Sequence, residues 1–396
     1  MILNEKLISV INDRLSKIKI DYEKRFGVMN QLIGKEQLHI QKKRFNELDI
    51  NDSFFDSLKK DYNFGKNEFE VWFKKKADEM AFLAIDDNKK LYGFLYFKIE
   101  DKKEDYSNFS PSLPPKKRLK IGTFKVESEP KGQKMGERFL GFVFDNAKEC
   151  KVDEIYVTIF DEREYTQGLI AIFKQWGFLE WGVDKKTGEK IYIKNLNKSS
   201  FDSSKNIKWN FPVLKPNHNY FFLPINPEFH NELIPEHIVK YEKIPNYDPT
   251  KPYRNALEKV YVSRAKWKFR QKNPPSEGDL ILLYRMGRGL NGQKYKSVVT
   301  TVAVISEIFL PSDKITFFDF CKNRSIFDEK QLEKYWKEKN GINLAVIKFI
   351  PLYKMPHNVV LNELWDVNII SPGSGPQSFD VVSKENFDKI IKLSKN

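Results

Sequence analysis

The sequence predicts an α/β (α+β) mixed-sheet domain followed by a β-rich barrel domain. Three observations carry this. The stretch Lys117–Phe178 reads as strand, turn, amphipathic helix, strand, helix. Ser276–Tyr284, Lys294–Leu310 and Ile342–Leu352 are short apolar strands rich in valine, isoleucine and leucine, with little helix between them. Between these regions Asn195–Pro216 is rich in Ser, Asn and Lys with few apolar positions, as a boundary between domains is. At 396 residues there is room for more than one core. The division expected is a helical extension over 1–36, a mixed-sheet domain over 37–196, a linker over 197–216 and a second domain over 217–396.

Taken in order, Leu7, Ile8, Val10, Ile11, Leu15 and Ile18 keep a helical period, as in a docking helix. Gln37–Phe45 alternates as a first strand. Asn51 or Asp52 caps a helix running to Tyr62, and Asn67–Met80 supplies a second. Met80–Glu100 reads as a hairpin turning at Asp86, Asp87 and Asn88. Asp101–Arg118 is polar and contains prolines, so a flexible loop is expected. Lys117–Glu127 is the central strand, and Met135, Phe139, Phe142, Val143 and Ala147 mark the helix after it. Asp153–Phe160 is a buried strand, Tyr165–Phe178 a helix, and Leu179–Leu196 a hairpin around Thr187 and Gly188. Met286–Lys294, with three glycines, reads as a hairpin loop, since no helix follows it.

A net charge of +14 favours a polyanionic partner, with nucleic acid first; a lysine-rich low-GC coding bias is the alternative. Cys150 and Cys321 suggest no disulfide framework. His39, His218, His230, His237 and His357 have no metal-ligand spacing, so no metal is expected. No signal-peptide pattern or apolar run of membrane length occurs, and a soluble, cytosolic chain is expected.

The turn between the central strand and its helix carries the chemistry. Pro130, Lys131, Gly132, Gln133, Lys134, Met135 and Gly136 form a short basic, glycine-bearing turn opening a helix. Such a turn aims backbone N–H groups and the positive end of a helix dipole at one point, as an anion site does. An ordinary strand-to-helix turn with solvated lysines is the other reading.

The whole stretch resembles the acetyl-CoA-binding core of GNAT-family N-acetyltransferases. Lys131–Gly136 occupies their R/Q-x-x-G-x-G/A turn, Ala147–Ile155 the helix end and next strand, and Gly177-Phe178 the closing G-F pair. The resemblance implies acetyl-CoA as cofactor, an amine as acceptor, and two central strands that splay to admit the pantetheine. Its backbone partners would be Phe124 and Val126, and its diphosphate would lie on Lys131, Gly132, Gln133, Lys134, Met135, Gly136 and Glu137. Glu127 or Glu129 would take the amine proton; surface residues at a strand end are the alternative. Two departures matter. Lysines stand at 131 and 134, where Lys134 narrows the cradle. Phe173 replaces the tyrosine that many members use to reprotonate the thiolate, and a phenyl ring has no proton to give. Tyr165 or water would then serve, or the site binds without fast turnover.

In the second half, Ser276-Glu277-Gly278-Asp279 before an apolar strand ending at Tyr284, followed by a valine- and threonine-rich strand, resembles the PUA-like barrels of the EVE and ASCH families. With Gly375-Pro376-Gln377-Ser378 it also resembles the C-terminal region of bacterial PIN-GNAT proteins. The resemblance implies a face for RNA, ahead of DNA, or for a modified base. Arg254, Asn255, Ser263, Arg264, Lys266, Trp267, Tyr284, Arg285 and Arg288 would supply stacking and phosphate contacts; a half-buried element with solvated lysines is the alternative. Two functions follow: an acetyl-CoA-dependent N-acetyltransferase acting on an RNA or RNA-associated amine, or a catalytically weak scaffold that binds RNA or a modified base, as in a toxin or defence system.

Overall fold

The computed structural model describes residues 38–62, 67–127, 134–234, 256–287, 293–322, 324–338 and 343–395. The predicted N-terminal helix, Lys131–Gln133, Glu129, Arg254, Asn255 and Arg288 lie outside them. The chain divides into two compact units, Met1–Phe94 with Lys125–Gln133, and Leu95–Phe124 with Lys134–Asn396.

In the first unit, β1 (His39–Arg44) pairs antiparallel with β2 (Met80–Ile85), His39 opposite Ile85 and Arg44 opposite Met80. Between them stand α1 (Asp56–Tyr62) and α2 (Glu68–Lys75), and β3 begins at Leu91 and runs to Glu100. Of the two expected caps, Asn51 and Asp52, the structure uses the second: the Asp52 side chain accepts the Phe54 N–H at 2.8 Å and starts a 3-10 turn over Ser53–Phe55. The core is aromatic, with Phe45 against Phe73 at 4.8 Å and Phe55 against Phe94 at 5.5 Å between ring centroids. The hairpin turn is held by Asp86, which accepts the Lys90 N–H at 2.8 Å.

The second unit holds the remaining strands. β4 (Phe109–Ser110), β5 (Arg118–Val126, to Phe124 in this unit), β6 (Glu154–Ile159), β7 (Leu179–Asp184) and β8 (Lys190–Asn195) extend the order β3-β5-β6-β8-β7-β4. β5 and β6 run parallel; β6 with β8, β8 with β7, and β7 with β4 run antiparallel. The parallel pair needs a crossover, which is α3 (Met135–Glu149), and α4 (Glu164–Gln175) follows β6.

Two sequence expectations are corrected here. Asp101–Arg118 is not a free loop: Tyr106, Phe109 and Leu113 are buried with Tyr156, Ile191 and Ile193, and Phe109–Ser110 is β4 itself. Three apolar residues at irregular spacing, hidden among polar ones, are enough to fasten it. The expected linker also carries buried residues. Ile207, Phe211 and Val213 are buried, Phe211 lies 5.2 Å from Phe144 and 5.7 Å from Trp176 between ring centroids, and α5 (Ile207–Asn210) starts on a side-chain cap from Asn206.

The second sheet comprises β9 (Tyr220–Ile225), β10 (Lys259–Ser263), β11 (Leu280–Arg285), β12 (Val298–Phe309), β13 (Ala345–Val360) and β14 (Val381–Val382), in the order β10-β13-β12-β11-β9-β14. With it come α6 (Pro227–Leu233), α7 (Gln293–Lys296), α8 (Lys314–Cys321), α9 (Glu329–Glu338), α10 (Leu361–Asp366) and α11 (Lys384–Leu393). The expected barrel is not present among the described residues. Closure needs the two end strands to pair with each other, whereas β10 pairs with β13 and the two-residue β14 pairs with β9. The sheet is mixed, because β9 and β11 run parallel. Its core gathers Phe221, Leu223, Ile281, Leu283, Ile305 and Phe349. The Gly278-Asp279 turn has a clear physical role: Gly278 takes a left-handed φ of +83°, and buried Asp279 accepts Ser276 N–H and Asn219 N–H, both at 2.9 Å, while pairing with Lys215. Among the described residues no helix is long and apolar enough to cross a membrane.

Two glycines with almost the same φ separate backbone strain from close approach. Gly177 (φ +77°) closes α4, and a Cβ there would meet the Trp209 carbonyl oxygen and the Lys194 ammonium. Gly188 (φ +79°) has nothing within 4 Å of the same position. Gly188→Ala should therefore cost only about 1 kcal/mol for the left-handed backbone. Gly177→Ala should cost about 3 kcal/mol or more, because backbone and a buried lysine must also shift. Urea unfolding of the two variants reads the difference; equal losses would refute the close approach.

Candidate functional site

The parallel pairing of β5 with β6 is short. It runs from Arg118 opposite Glu154 to Ile121 opposite Val157 and stops, although β5 continues to Val126 and β6 to Ile159. β6 stays with β8 to its end, Ile159 opposite Lys190. At the point of parting stands Gly122, where a Cβ would meet the Tyr96 ring at 2.8 Å. Phe124, next but one, is drawn onto the helices, 5.6 Å from Phe139 of α3 and 5.4 Å from Phe173 of α4. The two strands thus separate at their C-terminal ends, and backbone groups of β5 that face β6 lose their ladder partners there.

The N-terminus of α3 belongs to the same part of the chain. Lys134 is its N-cap with φ 52°, exposed, and caps nothing with its side chain. The amides of Met135, Gly136 and Glu137 have no acceptor within the helix, while Arg138 N–H bonds the Lys134 carbonyl at 3.0 Å. These donors, the helix dipole and an exposed lysine suit an anion. Gly136 has a second duty that spacing did not reveal: a Cβ there would meet Ile172 Cδ1 at 2.7 Å, so it sets the α3–α4 packing.

The Glu137 carboxylate does not face solvent. It is buried and accepts both Arg324 guanidinium nitrogens at 2.7 and 2.8 Å and the Lys208 ammonium at 2.8 Å. Arg324 and Lys208 also lie 3.3 and 3.7 Å from the Glu258 carboxylate. Burial alone would raise the Glu137 carboxyl; the hydrogen bond and charge of Arg324, with Lys208, outweigh it and bring it to about 2. Sequence reasoning could not find Arg324, which stands 187 residues from its partner.

The candidate acid and base residues are separated by burial. Phe173 is fully buried, 4.9 Å from Phe178. Tyr165 is 58% exposed in the first turn of α4. In the first unit the Glu127 N–H bonds the Tyr92 carbonyl at 2.8 Å, and its side chain, 43% exposed, pairs with Lys125 at 3.1 Å. Val126 precedes it, half-buried.

A further polar cluster was not foreseen. The buried Glu100 carboxylate accepts Tyr156 Oη at 2.7 Å and Tyr106 Oη at 2.9 Å. Beside it the fully buried Arg118 bonds Glu154 at 2.8 Å and stacks on Tyr106. Arg118 and Glu154 open the paired end of β5 and β6, remote from the parting, so this cluster fastens the insert rather than serving a ligand.

In the second sheet the predicted nucleic-acid contacts fall into two groups. Ser263, Tyr284 and Arg285 are buried and present no side chain to a surface. Arg264 and Trp267 are exposed, Arg264 pairing with Glu338 at 2.6 Å and lying over the Tyr335 ring. Lys266 donates to the Pro311 carbonyl at 3.0 Å, and Lys268 lies 4.7 Å over the Trp267 ring. The segment Lys266–Arg270 is a 3-10 turn, which lifts Trp267 away from the core. Cys321 is buried with its thiol pushed up to about 12, by burial.

No protein-family model matches the chain, and no curated protein matches it in sequence. Among solved structures it is similar to an ASCH protein from Zymomonas mobilis, with 16% identity and a TM-score of 0.30 over 45% of this chain and 96% of that one. It is also similar to a GNAT-family N-acetyltransferase from Escherichia coli in complex with CoA, with 12% identity and a TM-score of 0.28 over 43% of this chain and 87% of that one. A GNAT-family acetyltransferase from Staphylococcus aureus is 16% identical, with a TM-score of 0.29 over 40% of this chain and all of that one.

The Glu137 cluster contributes to the acid limb of stability. Its carboxyl stands at about 2 when folded against an ordinary 4.5. Its contribution is therefore present above pH 4.5 and is lost as pH falls from there through about 2. Urea unfolding across this window should show stability falling with pH in the wild type and a shallower fall in Glu137→Gln. Equal slopes would refute the pairing.

Proposed function

We propose that the chain is an acetyl-CoA-dependent N-acetyltransferase whose acceptor is an amine on RNA or on an RNA-associated molecule. The observation that carries the reading is the parting of β5 and β6 beyond Ile121 and Val157, in a chain whose next helix begins on uncapped amides. An extended amide-bearing arm fits the first feature and a diphosphate the second. Bound there, acetyl-CoA would supply an acyl group activated as a thioester. In this reading Phe124 and Val126 offer backbone groups to the arm, and Met135, Gly136 and Glu137 offer amides to the diphosphate. Lys131, Gly132, Gln133 and Lys134 complete that turn by the sequence pattern.

The residues then divide the proton work. Glu127, or Glu129 beyond it, takes the proton of the attacking amine. Tyr165 offers a hydroxyl where position 173 offers none. A second reading, binding without efficient turnover, draws on one observation: Phe173 is a fully buried packing residue. For the acceptor, Trp267 with Arg264, Lys266 and Lys268 gives an exposed stacking ring among cations, the arrangement that suits single-stranded nucleic acid.

Two measurements test this. Calorimetry should show acetyl-CoA binding by the wild type, weakened by about tenfold per charge reversed in Lys131→Glu and Lys134→Glu, with the loss shrinking as salt rises; no wild-type binding sinks the reading. RNA retention should fall steeply with ionic strength and drop further in Trp267→Ala and Arg264→Glu. A flat salt response would reduce the net charge of +14 to surface solubility.

A further inference from the structure

Four buried charges meet at the first turn of α3. Glu137 and Glu258 carry the carboxylates, with side chains 5% and 6% exposed; Arg324 and Lys208 carry the cations, at 10% and 15%. Arg324 is the centre: it grips Glu137 with two nitrogens, donates to the Glu258 carbonyl at 2.9 Å, and lies 3.3 Å from the Glu258 carboxylate. Ser306 closes the set by donating to Glu258 at 2.8 Å. Two cations against two carboxylates leave the cluster neutral.

That neutrality matters because of where Glu137 sits. It is the third residue of α3, and the helix start is where an anionic ligand would find its amides. A lone carboxylate in the same turn would draw on the same dipole and repel the same ligand. Lys134, the N-cap, lies within electrostatic reach of all four groups, so the cluster's charge is felt at the turn. Arg324 itself comes from the segment between α8 and α9, far along the chain.

We infer that Arg324 is a positioning residue for the cofactor diphosphate: acting through Glu137, it fixes the first turn of α3 and cancels the one carboxylate there that would oppose an anion. The inference rests on the cofactor reading above and adds to it a residue from the second half of the chain that the turn motif does not contain. Arg324 touches no ligand in this account; it acts by pairing Glu137 and by the charge it adds to the cluster.

The test compares two probes on the full chain: acetyl-CoA, which carries the diphosphate, and S-acetylpantetheine, which lacks it. Arg324→Met leaves the cluster with a net negative charge, and should weaken acetyl-CoA by about tenfold at low salt while leaving S-acetylpantetheine unchanged. Arg324→Met with Glu137→Gln returns the cluster to neutral and should restore most of the lost affinity, which a merely structural role would not do. Should Arg324→Met fail to fold, Lys208→Met removes the same unit of charge and is read in the same way. Wild-type binding with an unchanged Arg324→Met affinity overturns the inference alone, as does an equal loss for both probes or no rescue in the double variant. Absence of acetyl-CoA binding by the wild type overturns the cofactor site and this inference with it.

Discussion

The parting of β5 and β6 is the constraint on which the rest depends. A parallel ladder has every reason to continue once begun, since each further pair satisfies backbone groups. Here it stops because the two strands answer to different neighbours. β6 is held by β8 to its last residue. β5 is turned at Gly122, over which the Tyr96 ring lies, and Phe124 is then anchored between Phe139 and Phe173. The gap is therefore a product of side-chain packing on one side and strand pairing on the other. Among the described residues the parallel ladder between β5 and β6 ends at Ile121 and Val157.

Elsewhere in the chain several buried charges are held in closed sets. Glu100 is met by two tyrosine hydroxyls and Lys98, Arg118 by Glu154, Asp279 by Lys215 and Ser276, and Glu137 by Arg324 and Lys208. Burying such groups costs desolvation that their pairing only roughly offsets, so they fix where segments lie more than how stable the fold is. In each case the set joins residues from separate stretches: Glu100 to the insert, Asp279 to the strand entry at Asn219, and Glu137 to the segment after α8.

What the sequence made legible was local. The strand, turn and helix of Lys117–Glu149 follow from alternation, glycine and a helical period, and the structure places β5 and α3 there. The Asp52 cap and the Asp86 turn were readable for the same reason. What was not readable depends on partners distant in the chain. The insert looked like a loop because Tyr106, Phe109 and Leu113 have no period; only the face of Tyr156 and Ile191 shows why they are buried. The second sheet looked like a barrel because its strands are regular, but closure is decided by edges, and among the described residues the end strands β10 and β14 do not pair with each other. Tyr284 and Arg285 looked like surface contacts because their types bind nucleic acid elsewhere; their strand is buried along its whole length. Arg324 had no local signal at all.

Phe173 joins the two halves of this argument. Read from the motif alone, it is a missing proton donor. In the structure it is one wall of the anchor that holds Phe124 on the helices, and it packs in turn against Phe178, which follows the left-handed Gly177. A phenyl ring at this position gives apolar packing where a hydroxyl would need a partner in a fully buried place. Phe173 is thus a packing residue in this chain, and the Tyr165 hydroxyl lies outside the core. The separation of β5 from β6 therefore rests on apolar packing and strand pairing, and on no titratable group.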